Sequence, residues 1–427
     1  MKALSPSFFL FFLLLLMVII LDKDSDFFAK ALSVKERDLY DRQFRLEGWS
    51  QKLVKNSRVL IVGVGGLGCE IAKNLAMLGL GQLDLVDLDI IEHSNLNRQI
   101  LFTDAKIGEP KAVVAARKLK EINPNIIVKG YHTSLERLNP ALYQAAEVVI
   151  GGLDSMNARL NLNAQCIRFR KPLVDAGVSG YHGHIYTIFP YQNACYECNP
   201  LPVSENDEMA ACTVVGVPRK RIHCVFKGDM AFKEKFDRDP NPKDIIEIKF
   251  IQKVANELVN KHNFLPEYTT DDIIKIIDRH DPGIITINAV ISALQSHEAV
   301  KILHWKKGHR GLGEPIKDYV IFNAMTMKLY HIEKPRNPEC SQCGKSVRRV
   351  AIKMRSQSPC INIIKTLKKN GFELEPDFEP VLTLLDFNDI KVIDLEQNTI
   401  ENGLRNYEFI TVAGFKGGEI YVTLKLK

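Results

Sequence analysis

The chain has 427 residues, 46% of them hydrophobic, which is enough for two or three domains with real cores. Its net charge of +6 is small for that length, so nothing in the balance calls for nucleic acid as a partner. Nine cysteines, an odd number, read as reduced thiols and metal rather than as a disulfide framework.

Phe8–Leu21, FFLFFLLLLMVIIL, is an unbroken apolar run of fourteen residues behind Lys2. Its length suits a signal-peptide core, yet no small-x-small cleavage site follows, because Asp22, Lys23, Asp24, Ser25 and Asp26 come next. Residues 1–30 are therefore expected to be a retained membrane anchor on a cytoplasmic enzyme, or else to follow from a start codon chosen too far upstream. From Val34 the segment VKERDLYDRQFRLEGWSQKLVKNS reads as a charged, helical approach to the first strand.

Arg58–Val62 is a short apolar, β-branched strand, and Gly63, Gly65, Gly66 and Gly68 follow at the spacing that brings backbone close to a phosphate and packs a helix on a strand. A helix from about Cys69 to Leu78 then offers N–H groups to an anion. The next strand, Leu83–Asp89, carries Asp87 at its end, about twenty residues beyond the glycines, where a ribose-binding carboxylate is expected. The same glycines and acid would serve NAD in a dehydrogenase. SNLNRQ, with Asn95 and Arg98, and IGEPKA, with Lys111, shift the reading, since they set two cations beside a phosphate-sized hole. Hydride transfer has little use for that pair, whereas adenylation of a carboxylate must neutralise a triphosphate and a leaving pyrophosphate.

Strands at Ile126–Gly130 and Ala146–Gly151, a helix over Asn157–Phe169 and the strand PLVDAGV continue the alternation. That rhythm specifies an α/β fold with a doubly wound parallel sheet and ligands at the carboxyl ends of its strands, where Asp154 falls. GHIYTIFPY alternates with period two, as an antiparallel addition does. Cys195 and Cys198 pair with Cys340 and Cys343 as two C-x-x-C knuckles that together suit one tetrahedral zinc. Between the knuckles, Ser204–His280 leaves the α/β rhythm for a helical insertion, with helices over Ile245–Asn260 and Asp271–Asp278. Near its start Cys212 has Arg219, Lys220, Arg221 and His223 close behind, and neighbouring cations favour a thiolate. An apolar helix from Asn288 returns to the sheet, and Ser346–Lys427 then gives strand, helix and several short strands in β-grasp order.

GVGGLG, the aspartate-rich strand end, SNLNRQ, the PKA lysine and GLDSMNAR together resemble the adenylation domain of ubiquitin-type activating enzymes and of their bacterial relatives that adenylate sulfur-carrier proteins. The likeness runs from about Tyr40 to Lys427. It implies ATP and magnesium as cofactors, with Asp87 on the ribose, Arg98 and Lys111 on the phosphates, Asn95 in the same nucleotide site and Asp154 on the magnesium. Plainer readings make Asp154 the cap of the helix that begins near Met156 and pair Arg42 with Asp38 or Glu47. By the resemblance Arg42, in YDRQ, reaches the ATP of a partner chain, and one chain that holds Arg42 and the full nucleotide set suits a homodimer. The zinc is then structural, Cys212 accepts a thioester, and Ile284–Thr286 crosses over the tail of a ubiquitin-like modifier. The division implied is adenylation domain over 31–203 and 284–345, catalytic-cysteine insertion over 204–283, and a ubiquitin-fold domain over 346–427 that recruits a conjugating enzyme. The expected activity is ATP-dependent adenylation of the modifier followed by thioester formation. The alternatives are a sulfur-carrier adenylyltransferase that stops at the acyl-adenylate and an inactive scaffold, against which the intact residue set argues.

Overall fold

In the computed structural model the structure describes residues 32–199, 221–236, 238, 240–277, 284–386 and 389–427. The approach to the sheet consists of three short helices, α1 (Val34–Leu39), α2 (Asp41–Phe44) and α3 (Gln51–Lys55). The first opens on a capping box, in which Ser33 Oγ accepts from Glu36 N at 3.2 Å and Glu36 Oε2 accepts from Ser33 N at 2.9 Å.

The alternating region then gives β1 (Arg58–Val62), α4 (Gly66–Met77), β2 (Gln82–Asp87), α5 (Lys111–Ile122), β3 (Ile127–His132), α6 (Pro140–Ala145), β4 (Val148–Gly151), α7 (Met156–Phe169) and β5 (Leu173–Ser179). These strands pair in parallel, and β6 (His182–Ile188) joins β5 antiparallel, as its alternation requires. Alternate side chains of one strand reach opposite layers. Val59 and Ile61 enter the core under α4 and α5, while Leu60 and Val62 enter the one that also holds Leu162 and Ile167 of α7.

Three helices, α8 (Arg221–Phe236), α9 (Ile245–His262) and α10 (Thr270–Ile277), share a separate apolar cluster around Phe232, Ile248, Ile251 and Ile273. The long helix α11 (Ile285–Lys306) returns along the sheet, and β7 (Tyr319–Asn323) and β8 (Lys328–Ile332) extend it as a hairpin that sequence reading does not name. The finished sheet has the order β3-β2-β1-β4-β5-β6-β7-β8. One expectation is corrected here: Ile285 and Thr286 form the first turn of α11 instead of a crossover, because Ile284 O already accepts from Ile287 N at 3.1 Å and from Asn288 N at 3.2 Å.

The C-terminal region consists of β9 (Arg348–Met354), α12 (Ile361–Lys369), β10 (Val381–Asp386), β11 (Asp389–Val392), β12 (Phe409–Ala413) and β13 (Ile420–Leu426). Its sheet has the order β11-β10-β12-β13-β9, with β9 and β13 parallel and the rest antiparallel. Ile363, Ile364 and Leu367 bury one stripe of α12 in the same cluster as Ile410, Val412 and Val422. Among the described residues no helix is long and apolar enough to cross a membrane. The Phe8–Leu21 run lies outside them.

α11 is tied to the approach helices by His304, whose Nδ1 donates to Val300 O at 2.9 Å while Nε2 accepts from Ser50 N at 3.0 Å. Accepting at Nε2 requires a neutral ring. Burial holds the His304 pKa below its ordinary value of 6.5. The folded-state pKa is thus the lower one, so the stability this residue contributes is complete above pH about 6.5 and is lost as pH falls below it. Thermal unfolding between pH 7.5 and 5.5 should show a steeper fall for the wild type than for His304→Gln; parallel curves would remove His304 from the account.

Candidate nucleotide site and cysteine cluster

The sheet changes winding direction between β1 and β4, and such a switch point opens a crevice at the carboxyl ends of the strands. Three neighbours in the order, β2, β1 and β4, deliver the candidate residues there. Gly63 takes φ +89°, and a Cβ on it would lie 2.5 Å from Gly152 O, so the loops after β1 and β4 can touch only if this residue is glycine. Above Gly65 the space is open: a Cβ there would have Gln99 Nε2 as its nearest neighbour, at 4.0 Å. α4 begins immediately after, capped by no side chain, so its first N–H groups face that space.

Asp87 closes the floor. Its Oδ2 accepts from Val64 N at 2.6 Å and its Oδ1 from Asp89 N at 2.7 Å, which fastens the glycine loop to the end of β2 and leaves each oxygen a free lone pair. Burial pushes its pKa above the ordinary value, with the two backbone donors opposing. Lys111, the buried first residue of α5, donates to the exposed carboxylate of Asp89 at 2.8 Å. Asn95 is buried and its Oδ1 accepts from Glu92 N at 2.9 Å. Arg98 is half-buried and turned back on its own loop, donating to Ser94 O at 2.6 Å and to Asn97 Oδ1 at 3.1 Å.

Asp154 is exposed in the loop after β4 and has no hydrogen-bond partner among the described residues. Ser155 takes the capping role instead, its Oγ accepting from Ala158 N at 3.2 Å, so the plainer reading of Asp154 as the helix cap does not hold. Arg42 is also exposed and forms no ion pair among the described residues, since Asp41 is taken by Arg45 at 2.6 Å. The plainer reading, in which Arg42 pairs with Asp38 or Glu47, does not hold, since neither ion pair forms. Cys212 lies outside the described residues. Cys224, twelve positions on, is buried in α8, and burial pushes its thiol above the ordinary range although Arg221 and Lys227 pull the other way.

A buried polar group that sequence reading missed holds the loop after β4. Arg159 Nη1 donates to Asp175 Oδ2 and to Ala176 O, each at 2.6 Å, and Nη2 donates to Leu153 O. Tyr196 Oη donates to the same Asp175 oxygen at 2.5 Å. Burial opposes the Arg159 charge, but Asp175 and Tyr196 outweigh it and keep the guanidinium protonated. The signal was present in PLVDAGV, where one carboxylate interrupts an apolar strand and needs a cation.

Tyr196 sits inside the first knuckle. The sulfurs of Cys195, Cys198, Cys340 and Cys343 lie within 4.8 Å of one another, all buried, with Cys195–Cys340 at 3.6 Å and Cys198–Cys343 at 3.3 Å. A disulfide needs sulfurs about 2.05 Å apart, whereas four thiolates about 2.3 Å from a zinc have edges of about 3.8 Å. The cluster therefore fits one tetrahedral ion and leaves no ligand position open.

The ThiF family model matches residues 40–342, the span that builds the crevice and the cysteine cluster. The chain belongs to the ThiF family. Among curated relatives of this ThiF-family chain, the NEDD8-activating enzyme E1 catalytic subunit of Saccharomyces cerevisiae is 31% identical over 307 residues, covering 68% of this chain and 98% of the relative. The Schizosaccharomyces pombe protein of the same name is 32% identical over 275 residues, covering 58% of this chain and 62% of the relative, so the chain spans less than two thirds of that length. The SUMO-activating enzyme subunit uba-2 of Caenorhabditis elegans is 35% identical over 195 residues, 45% of this chain and 33% of the relative.

Metal analysis of the purified ThiF-family chain should find one zinc per chain. Cys340→Ser should lose it and lower the melting temperature, because binding to a structural site is folding free energy. Unchanged stoichiometry in the variant would remove the assignment.

Proposed function

We propose that this chain activates a ubiquitin-like protein: it adenylates the modifier's C-terminal carboxylate with ATP and passes the acyl group to Cys212. The reading is carried by one observation, the convergence of the glycine loop, Asp87, Lys111 and the free Asp154 on a single crevice of a ThiF-family sheet. Relatives named as activating-enzyme catalytic subunits support it.

In this scheme a carboxylate oxygen of the modifier attacks the α-phosphorus of ATP, and the bond to the β-phosphate oxygen breaks to release pyrophosphate. The N–H groups of α4 and the Lys111 ammonium offset charge on the phosphates, and Asp87 accepts from the ribose hydroxyls. Arg98 swings from Ser94 O to join them. Bound magnesium, which Asp154 would hold, supplies further charge neutralisation. The Cys212 thiolate then attacks the acyl carbon, and AMP leaves with the bonding pair. Arg42, which forms no ion pair among the described residues, completes the crevice of a second copy in a homodimer. The three helices α8, α9 and α10 belong to a catalytic-cysteine insertion over 204–283. The C-terminal sheet with α12 across it is a β-grasp that recruits the conjugating enzyme. The chemistry suits a compartment rich in ATP and reduced thiols, such as the cytoplasm.

Asp154→Ala should abolish modifier-dependent ATP–pyrophosphate exchange while the protein still folds, and exchange near the normal rate would leave Asp154 no metal role. Arg42→Ala should fail as well, yet regain activity at one site when mixed with Asp154→Ala chains; no rescue would count against completion in trans.

Cys212→Ser should convert a reductant-sensitive modifier adduct into a resistant one or remove it, with adenylation intact, while Cys224→Ser, altering a buried thiol, should keep the sensitive adduct. Active exchange with no adduct on any modifier would instead favour an enzyme that stops at the acyl-adenylate.

A further inference from the structure

At the end of the sheet opposite the glycine loop, a concavity of about 620 Å³ opens between the last turn of α11, the end of α7 and the segment after β6. Asn288, beside Gly66, and Trp305, in the concavity wall, stand about 25 Å apart along α11, so this place is remote from the crevice. Nothing in the adenylation chemistry uses it.

Two of its residues hold a backbone conformation that costs any side chain other than glycine. Arg170, the C-cap of α7, has φ +54°, and Tyr191 has φ +67°. Glycine is the usual residue at such a helix end. Here the position carries an arginine whose guanidinium lies over the Tyr191 ring at 5.2 Å. Two such positions thus stand beside each other in one concavity.

The charges agree. Arg170 and Lys306 form no ion pair among the described residues, whereas Glu314, also in the lining, is taken by Lys317 at 2.8 Å. Lys306 Nζ donates to Glu147 O at 3.0 Å and neighbouring Lys171 Nζ to Gln144 O at 2.8 Å, which leaves donors on both ammonium groups. Burial, and then the charge of Lys306, pushes the Lys171 pKa down, and the nearby Glu147 carboxylate opposes this only in part. The walls between the cations are apolar, with Phe189, Tyr191 and Trp305, and Pro172, Pro190 and Pro315 in the lining have no N–H to give. A compact phosphate calls for clustered backbone donors. Carboxylates on a chain that also presents an apolar side chain suit separate cations around aromatic walls.

We propose that this concavity docks an acidic peptide segment of a partner protein, with an apolar side chain among Tyr191 and Trp305 and carboxylates on Arg170 and Lys306. The test is fluorescence anisotropy of a labelled Glu-Glu-Phe-Glu-Glu peptide with the full chain, against Lys-Lys-Phe-Lys-Lys. The acidic peptide should bind saturably, weaken with added salt and lose at least tenfold in affinity in Arg170→Gly and in Lys306→Gln. Arg170→Gly should also melt at a higher temperature, since it releases the left-handed constraint, so its loss of binding cannot come from misfolding. ATP–pyrophosphate exchange should be unchanged in both variants. Equal binding of the two peptides, or full affinity in Arg170→Gly, would overturn the proposal. So would displacement of the peptide by inorganic phosphate at matched ionic strength, which would make a free small anion the occupant.

Discussion

Asp175 is a fully buried carboxylate on a sheet strand, and much of the crevice depends on how its charge is met. Arg159 meets it from α7 and Tyr196 from the first knuckle, and the same guanidinium fixes Leu153 O in the loop that carries Asp154. Buried ion pairs of this kind contribute little net stability, because desolvation offsets most of the attraction, but removing one partner leaves a charge with nowhere to go. The arrangement therefore specifies position more than it stabilises. The first knuckle, β5 and the loop after β4 are joined through this one carboxylate and guanidinium, and Leu153, whose carbonyl the guanidinium holds, immediately precedes Asp154.

α11 gives the second constraint, since it runs from one end of the sheet to the other. Near its start Asn288 packs against Gly66 and Ser292 Oγ donates to Leu67 O at 3.1 Å, so the amino end of α4 is held from outside the sheet. In its middle Gln295 Nε2 donates to Gly151 O at 2.9 Å and to Val174 O at 3.2 Å, reaching the strands on either side of the crevice's far wall. At its end His304 receives Ser50 and with it the approach helices that carry Arg42. One helix thus sets the glycine loop, the strand ends and the Arg42 segment relative to each other, which explains why most of its polar side chains are buried and spoken for.

Much of this was legible in the sequence, for physical reasons. β1 with its glycines, the strand ending at Asp87 and the alternation through β5 follow from periodicity and from the few residues that a tight turn admits. The antiparallel turn of β6 was legible in the period-two pattern of GHIYTIFPY. What escaped depends on contacts between distant segments. The start of α11 at Ile285 could not be read from its neighbours, because β-branched residues such as Ile285, Thr286 and Ile287 suit a strand as well as a helix. Arg159 lay inside a motif whose aspartate drew the attention, and its partner Asp175 is sixteen residues away on another element. That Ser155 and not Asp154 caps α7 turns on one dihedral choice, which residue spacing does not fix.

Under the proposed function, the two cations of the crevice must be stable without a nucleotide and still receive one. Lys111 is buried, and a buried ammonium without a partner is costly, so Asp89 supplies one. The two members of the pair differ in a way that matters, because the lysine is 8% exposed at its side chain and the aspartate 65%. A phosphate oxygen that replaces Asp89 leaves the lysine's burial unchanged and releases a carboxylate that is already largely hydrated. The exchange costs little desolvation on the leaving side. Arg98 meets the same need from outside: its guanidinium rests on Ser94 O and Asn97 Oδ1, neutral acceptors that a triphosphate outcompetes through charge. In the proposed function, then, the fixed parts of the crevice are the glycine loop and Asp87, and the parts that change partner on binding are the two cations, each held by a group that gives it up readily.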